Sequence, residues 1–197
     1  MNHLAEVRAF FAEKAATWET KYGHDMPVYA AAVAETGVPV GGVAIDVGCG
    51  TARALPALRE AVGPAGRVIG IDVTAEMLAQ ARALGRETYG ALMFADAHHL
   101  PLATASVDLV FAAGLLGHVV DVDVVLAEAA RVTRPGGKLV LFHPVSRAAL
   151  AARKGRTLGP DDILAEGPLR ARLDRTGWVL DRYDDADHRF YARALRR

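Results

Sequence analysis

The residues best suited to chemistry cluster in Asp46-Val47-Gly48-Cys49-Gly50-Thr51-Ala52-Arg53. Gly48 and Gly50 allow a tight turn and let a ligand approach the backbone with no Cβ in the way, and a helix opening after them presents free N–H donors. Asp72 stands 22 residues beyond Gly50. A carboxylate at that separation can accept both hydroxyls of a ribose. The same residues are also compatible with a bare strand-to-helix turn and an acid at a helix start. Together they favour an adenosine-containing ligand. Dinucleotide dehydrogenases share this logic, but their fingerprint wants a third glycine where Arg53 stands, and an acid at Asp46 is foreign to it.

A second set of candidates is basic. Histidine titrates in the range useful for proton transfer. His118, in Gly114-Leu-Leu-Gly-His118-Val, and His143 each follow an apolar run, and both are candidate general bases. His98 and His99 read as solvated loop residues. Cys49 is the only cysteine, which excludes an internal disulfide. No Cys/His cluster has metal-ligand spacing and no carboxylate cluster suggests a divalent cation, so no metal is expected.

These residues need elements to hold them. Leu4, Val7, Phe11, Ala15 and Trp18 recur at helical spacing, and a second helix runs from Pro27 to about Glu35. The short apolar runs at 43–47 and 67–71 read as buried strands of a parallel sheet, and 91–95, 107–112 and 138–143 read as further strands. Helices are expected between them, at about 51–62, at 75–84 with Thr74 as cap, and at 122–132. Regular alternation of this kind implies a doubly wound, Rossmann-like α/β sheet. After a helix at about 169–176, the runs 178–183 and 189–194 form a hairpin around Asp184-Asp185-Ala186-Asp187, which makes the last strand antiparallel. The expectation is a seven-stranded sheet, mostly parallel, in a single domain over 1–197, with 1–40 as a helical lid and 41–197 as the core.

The ordered motifs resemble those of class I S-adenosylmethionine-dependent methyltransferases of the small-molecule, type 11-like group. Val43 to Thr51 resembles the family's first motif, and Gly70-Ile-Asp-Val-Thr-Ala-Glu-Met-Leu78 resembles the segment after its second strand. Ala95-Asp96, Leu100-Pro101-Leu102 and Ser106 to Val110 match the next block, and Glu128 to Leu139 the one after. The resemblance implies S-adenosylmethionine as cofactor. Gly48, Cys49 and Gly50 would line its methionyl part with Asp46 near its ammonium group, and Asp72 would hold the ribose hydroxyls with Val73 against the adenine face. Asp96 and the Ala97 N–H would contact the adenine edge, and the backbone at Ala113-Gly114 would complete the ammonium site. Where the family has a third glycine, this chain has Ala52. Members acting on DNA bases or on protein glutamine carry Asn/Asp-Pro-Pro-aromatic where this chain reads Phe111-Ala-Ala-Gly-Leu-Leu116, which favours a small-molecule acceptor.

Composition sets outer limits. The chain has 197 residues, 52% of them apolar, with 23 basic and 23 acidic residues giving zero formal net charge. That balance argues against non-specific nucleic-acid binding, and no apolar run reaches a membrane-spanning length of about 20 residues. One cysteine and a start without signal-peptide organisation suggest the cytoplasm, with the chain a monomer or homodimer. Trp18, Tyr22, His24, Met26 and Tyr29 are candidate acceptor walls, although Trp18 can equally pack its helix. Arg147, Arg153, Lys154 and Arg156 read as a solvated basic loop or as an attractor for an anionic acceptor. Two rivals remain at this level: a catalytically idle S-adenosylmethionine-binding protein and a small NAD(P)-dependent oxidoreductase.

Overall fold

The computed structural model describes residues 3–153 and 155–197; Met1, Asn2 and Lys154 of the basic run lie outside the described residues. In chain order, three helices come first: α1 (His3–Lys14), α2 (Trp18–Tyr22) and α3 (Met26–Ala34). Then follow β1 (Val43–Val47), α4 (Leu55–Val62), β2 (Arg67–Asp72), α5 (Ala75–Ala83), β3 (Ala91–Phe94) and β4 (Val107–Ala113). The chain ends with α6 (Val122–Val132), β5 (Thr133–His143), α7 (Arg147–Arg153), α8 (Glu166–Arg175), β6 (Trp178–Ala186) and β7 (Arg189–Arg196).

The strands form one seven-stranded sheet in the order β3-β2-β1-β4-β5-β7-β6. All neighbours pair parallel except those of β7, which runs antiparallel to both β5 and β6. Alternate side chains along each strand feed opposite layers. Ile45, Val110, Leu139 and Ala192 face a cluster closed by α6 and α8, whereas Ala44, Phe111, Val140 and Tyr191 face one closed by α3, α4 and α5. Two-sided burial explains why the central strands β1 and β4 are mostly apolar, whereas edge strand β3 leaves Ala91 and Phe94 exposed. The order reverses between β1 and β4, and ligands of open α/β sheets bind at the carboxyl edge of such a point.

Several expectations need correction. The first crossover helix begins at Leu55, not Thr51, because Thr51 to Ala54 form turns with Ala52 at φ +64° and Pro56 sits in the helix's first turn. The opening helix breaks after Lys14 into a 3-10 turn, Ala15–Thr17, and α1 buries none of its own residues. Thr74 occupies the N-cap position of α5, yet its side chain makes no capping bond. β5 starts at Thr133, five residues earlier than its apolar run suggests. The hairpin turn shrinks to Asp187-His188 because Asp184, Asp185 and Ala186 pair with Tyr191, Phe190 and Arg189. The basic segment contains α7, and Arg147 is no solvated loop residue: its guanidinium is 11% exposed and binds Asp162 and Asp185, with a hydrogen bond at 2.8 Å to the Tyr183 hydroxyl. Among the described residues no helix is long and apolar enough to cross a membrane.

Candidate functional site

β1 delivers Asp46 to the switch point, paired between Gly70 of β2 and Phe111 of β4. Asp46 is 2% exposed, and its Oδ1 is buried with no hydrogen-bond partner among the described residues. Burial first, and the neighbouring charge of Asp72 second, push its carboxyl up to about 8 against the opposing pull of Arg53. A partnerless buried oxygen is costly for a protein to keep, and a cationic ligand group is the partner that would satisfy it.

The turn after β1 is built on left-handed backbone at Gly48 (φ +72°) and Gly50 (φ +54°). A Cβ at Gly48 would lie 2.9 Å from Leu115 Cδ1, whereas one at Gly50 would meet nothing closer than Met77 Sδ at 4.0 Å. The left-handed backbone favours glycine at both positions; a Cβ at Gly48 would also push on Leu115, and Gly50 leaves open room beside the backbone. The N–H groups of Gly48 and Cys49 donate to the Ile71 carbonyl at 2.8 and 3.0 Å, so the loop amides expected to face a ligand are partly used to tie β1 to β2. Cys49 itself is buried, and burial drives its thiol well above the ordinary range.

Asp72, 9% exposed, accepts from the Gly50 N–H through Oδ2 and from the Thr74 N–H through Oδ1, both at 2.7 Å. One carboxylate thus braces the glycine turn and the start of α5. Burial raises its pKa despite these bonds. Val73 follows at the half-buried rim, and Ala97 is buried in the layer closed by α6 and α8. Asp96 is half-exposed. Its Oδ1 accepts from the His98 backbone N–H at 2.9 Å and meets His98 Nδ1 at 2.7 Å. His98 is accordingly no solvated residue, with a side chain 15% exposed.

β4 ends at Ala113, and Gly114 (φ +67°) turns the chain with its N–H on the Phe142 carbonyl at 2.9 Å. His118 closes the 3-10 turn Leu116–His118, its ring edge-on to Phe11 of α1 at 5.0 Å between centroids. His143, at the end of β5, has Nδ1 held 3.2 Å from the Val145 backbone. A Cβ on Gly114 would sit 3.6 Å from the His143 ring, so the two strand ends adjoin.

The amino-terminal helices are fastened to the glycine turn by two buried arginines. Arg86 donates to both Glu19 oxygens at 3.0 and 2.6 Å and to the Thr51 carbonyl at 2.7 Å, while the Thr51 hydroxyl donates to Glu19 at 2.5 Å. Burial would raise the Glu19 carboxyl, but the bonds from Arg86 and Thr51 hold it below its ordinary value. Arg53 reaches the Tyr22 carbonyl at 2.9 Å and the Tyr29 hydroxyl at 3.0 Å, and pairs with Asp25. Tyr29, 6% exposed and edge-on to Phe142, is core rather than acceptor wall, and burial pushes its hydroxyl up to about 12. Trp18 and Tyr22 remain half-exposed, their rings 4.7 Å apart, with Phe11 against Trp18 at 5.7 Å. His24 points outward, 76% exposed, and Met26 lies 3.7 Å from Arg86. Sequence reasoning missed Phe11, Glu19 and Arg86. Phe11 was visible only as one position in an amphipathic stripe, and the two charged residues lie 67 positions apart with nothing local to join them.

Comparison with known proteins agrees with this arrangement. Residues 45–141 match the family described as "Methyltransferase domain". Over 102 residues the chain is 45% identical to an uncharacterized 37.1 kDa protein in transposon TN4556 of Streptomyces fradiae, covering 51% of this chain and 30% of that protein. It is 42% identical over 110 residues to a demethylmenaquinone methyltransferase of Bacillus cytotoxicus, covering 54% of this chain and 46% of the relative. The matched stretch thus spans less than half the length of these curated relatives. Among solved structures, a SAM-dependent methyltransferase from Aquifex aeolicus shares the fold with a TM-score of 0.76 at 21% identity, covering 94% of this chain and 98% of the other. The strand order, the antiparallel β7 and the matched domain together place this chain in the class I S-adenosylmethionine-dependent methyltransferase family.

Proposed function

We propose that the chain binds S-adenosylmethionine at the carboxyl edge of β1, β2 and β4 and transfers its methyl group to an O, N or C nucleophile of a small-molecule acceptor. The observation that carries this reading is the partnerless buried oxygen of Asp46 beside the open room at Gly50 and the ribose-competent carboxylate of Asp72. A cationic amino acid attached to a ribose suits that combination, and a dinucleotide phosphate would face the Asp46 carboxyl instead.

When bound, the cofactor supplies an electrophilic methyl on a sulfonium, lost in one in-line displacement. The protein then has to bind, align and keep out water. Asp46 would take the ammonium group, with the backbone of Ala113-Gly114 beside it and Gly48, Cys49 and Gly50 along the methionyl chain. Asp72 would accept the ribose hydroxyls on lone pairs left after Gly50 and Thr74. Val73, Asp96 and Ala97 would receive the adenine. Trp18, packed against Phe11 and Tyr22, offers with Tyr22 an aromatic wall to an apolar acceptor body, and His118 or His143 would remove a proton where the acceptor carries one. His143 is anchored through Nδ1 to the Val145 backbone, and His118 packs edge-on to Phe11. Relatives named for demethylmenaquinone and malonyl-[acyl-carrier protein] differ widely in acceptor, so the acceptor class is left broad.

The test is turnover with labelled S-adenosylmethionine across an acceptor panel, followed by pH–rate profiles of His118→Ala and His143→Ala. Loss of the acid limb with a fall of about a hundredfold in kcat identifies the base. An unchanged profile removes that histidine from the chemistry, and failure of every acceptor leaves the idle-binder reading in possession.

A further inference from the structure

We propose that His98 is a positioning residue that holds Asp96 as a fixed, acceptor-only partner for the amino group of the cofactor's adenine. This rests on the cofactor reading above. The geometry is a short relay across the rim of the site. The Asp121 N–H points at His98 Nε2 at 3.3 Å, and His98 Nδ1 meets Asp96 Oδ1 at 2.7 Å. An imidazole nitrogen that accepts from an amide carries no proton, so the other must, and the Nδ1–H therefore donates to the carboxylate. The ring's two bonds point in opposite directions and specify one tautomer and one orientation.

Each end of the relay is itself anchored. Asp121 caps α6, its Oδ1 accepting from the N–H groups of Asp123 at 3.0 Å and Val124 at 3.1 Å. Asp96 Oδ1 also accepts the His98 backbone N–H at 2.9 Å. Both bonds fall on the same oxygen, and among the described residues none falls on Oδ2, which stays available to a ligand donor. Burial alone would raise the Asp96 carboxyl, but the bonds from His98 hold it below its ordinary value. Asp96 is ionised at neutral pH in any case, and what His98 adds is a fixed orientation of that carboxylate, with Oδ1 bound and Oδ2 turned free. An ionised carboxylate accepts and cannot donate, so it favours the 6-amino group of adenine and rejects the 6-oxo group of hypoxanthine. The imidazole is not placed to act as a base, since its second nitrogen is occupied by the α6 cap.

The test uses calorimetric binding of S-adenosylhomocysteine and S-inosylhomocysteine to the full chain. The wild type is expected to prefer the adenine form by about tenfold or more. His98→Phe keeps the ring's volume and removes both nitrogens, and is expected to lose most of that preference through weaker binding of the adenine form alone. His98→Asn restores a donor near the Nδ1 position and should recover it. Equal weakening of both ligands by His98→Phe, with their ratio unchanged, would mean a merely structural ring and overturns the proposal. A His98→Asn variant as indiscriminate as His98→Phe overturns it too. Wild type that binds neither ligand defeats the cofactor reading itself, and a clear adenine preference that survives in His98→Phe defeats only the role of His98.

Discussion

At the scale of single residues, Asp46 decides what the site can hold. Its carboxyl, raised to about 8 by burial, is largely protonated at neutral pH without a ligand, and an ammonium group favours the ionised form. Binding S-adenosylhomocysteine at pH 7 should therefore release a proton. Affinity should climb with pH by up to about tenfold per unit and level off above about 8, and calorimetry in buffers of different ionisation enthalpy measures both. The same shift acts on folding with a definite sign. The contribution of Asp46 to stability is fully present below its unfolded value near 4 and is lost as pH rises through about 8. Asp72→Ala removes the proposed ribose acceptor and should weaken binding by about a hundredfold or more, and a folded variant with unchanged affinity contradicts the assignment. The sequence carried these two acids plainly, because glycine spacing and a strand-end acid are local signals. The bracing bonds from Asp72 to Gly50 and Thr74, and the loss of the Gly48 and Cys49 donors to Ile71, depend on how two loops meet, and no local pattern reports that.

At the scale of elements, the amino-terminal helices are held by ion pairs more than by apolar burial. α1 buries none of its residues and α2 none, whereas Glu19 and Arg86 are 18% and 11% exposed and bonded at both carboxylate oxygens. Glu19→Ala leaves the Arg86 guanidinium unpaired in a largely buried place and should destabilise the covering segment by about 2–3 kcal/mol. Hydrogen exchange should then quicken in residues 18–34 before it quickens in the sheet, and uniform protection across both would contradict the pinning role. α1 was legible because Leu4, Val7 and Phe11 recur at helical spacing, and α3 because Pro27 opens it and Gly37 follows its end. The four-residue delay of α4 was not, since Ala52 stands in left-handed backbone that alanine rarely adopts. Its buried methyl, worth about 0.8 kcal/mol, offsets part of a strain of about 1–2 kcal/mol.

At the scale of the whole molecule, the sheet separates stability from binding. Trp178 at the start of β6 is fully buried and donates Nε1–H to the Leu126 carbonyl of α6 at 2.9 Å, in the layer away from the glycine turn. Trp178→Ala should cost about 3–5 kcal/mol in a denaturation curve while leaving S-adenosylhomocysteine affinity of the folded fraction unaltered. The alternation of strand and helix made the α/β class readable, and the closing hairpin made one antiparallel strand readable. Insertion of β7 between β5 and β6 was a matter of which edges meet in space, and rests on long-range pairs such as Leu139 with Ala194.

The identity of the ligand at the switch-point site decides what the protein does. The most direct test is a calorimetric titration of the purified chain with S-adenosylmethionine, S-adenosylhomocysteine and NAD. Micromolar binding of the first two, absent for NAD and weakened by about a hundredfold or more in Asp72→Ala, is the expected result. Binding of NAD with no response to either sulfur nucleoside would contradict it.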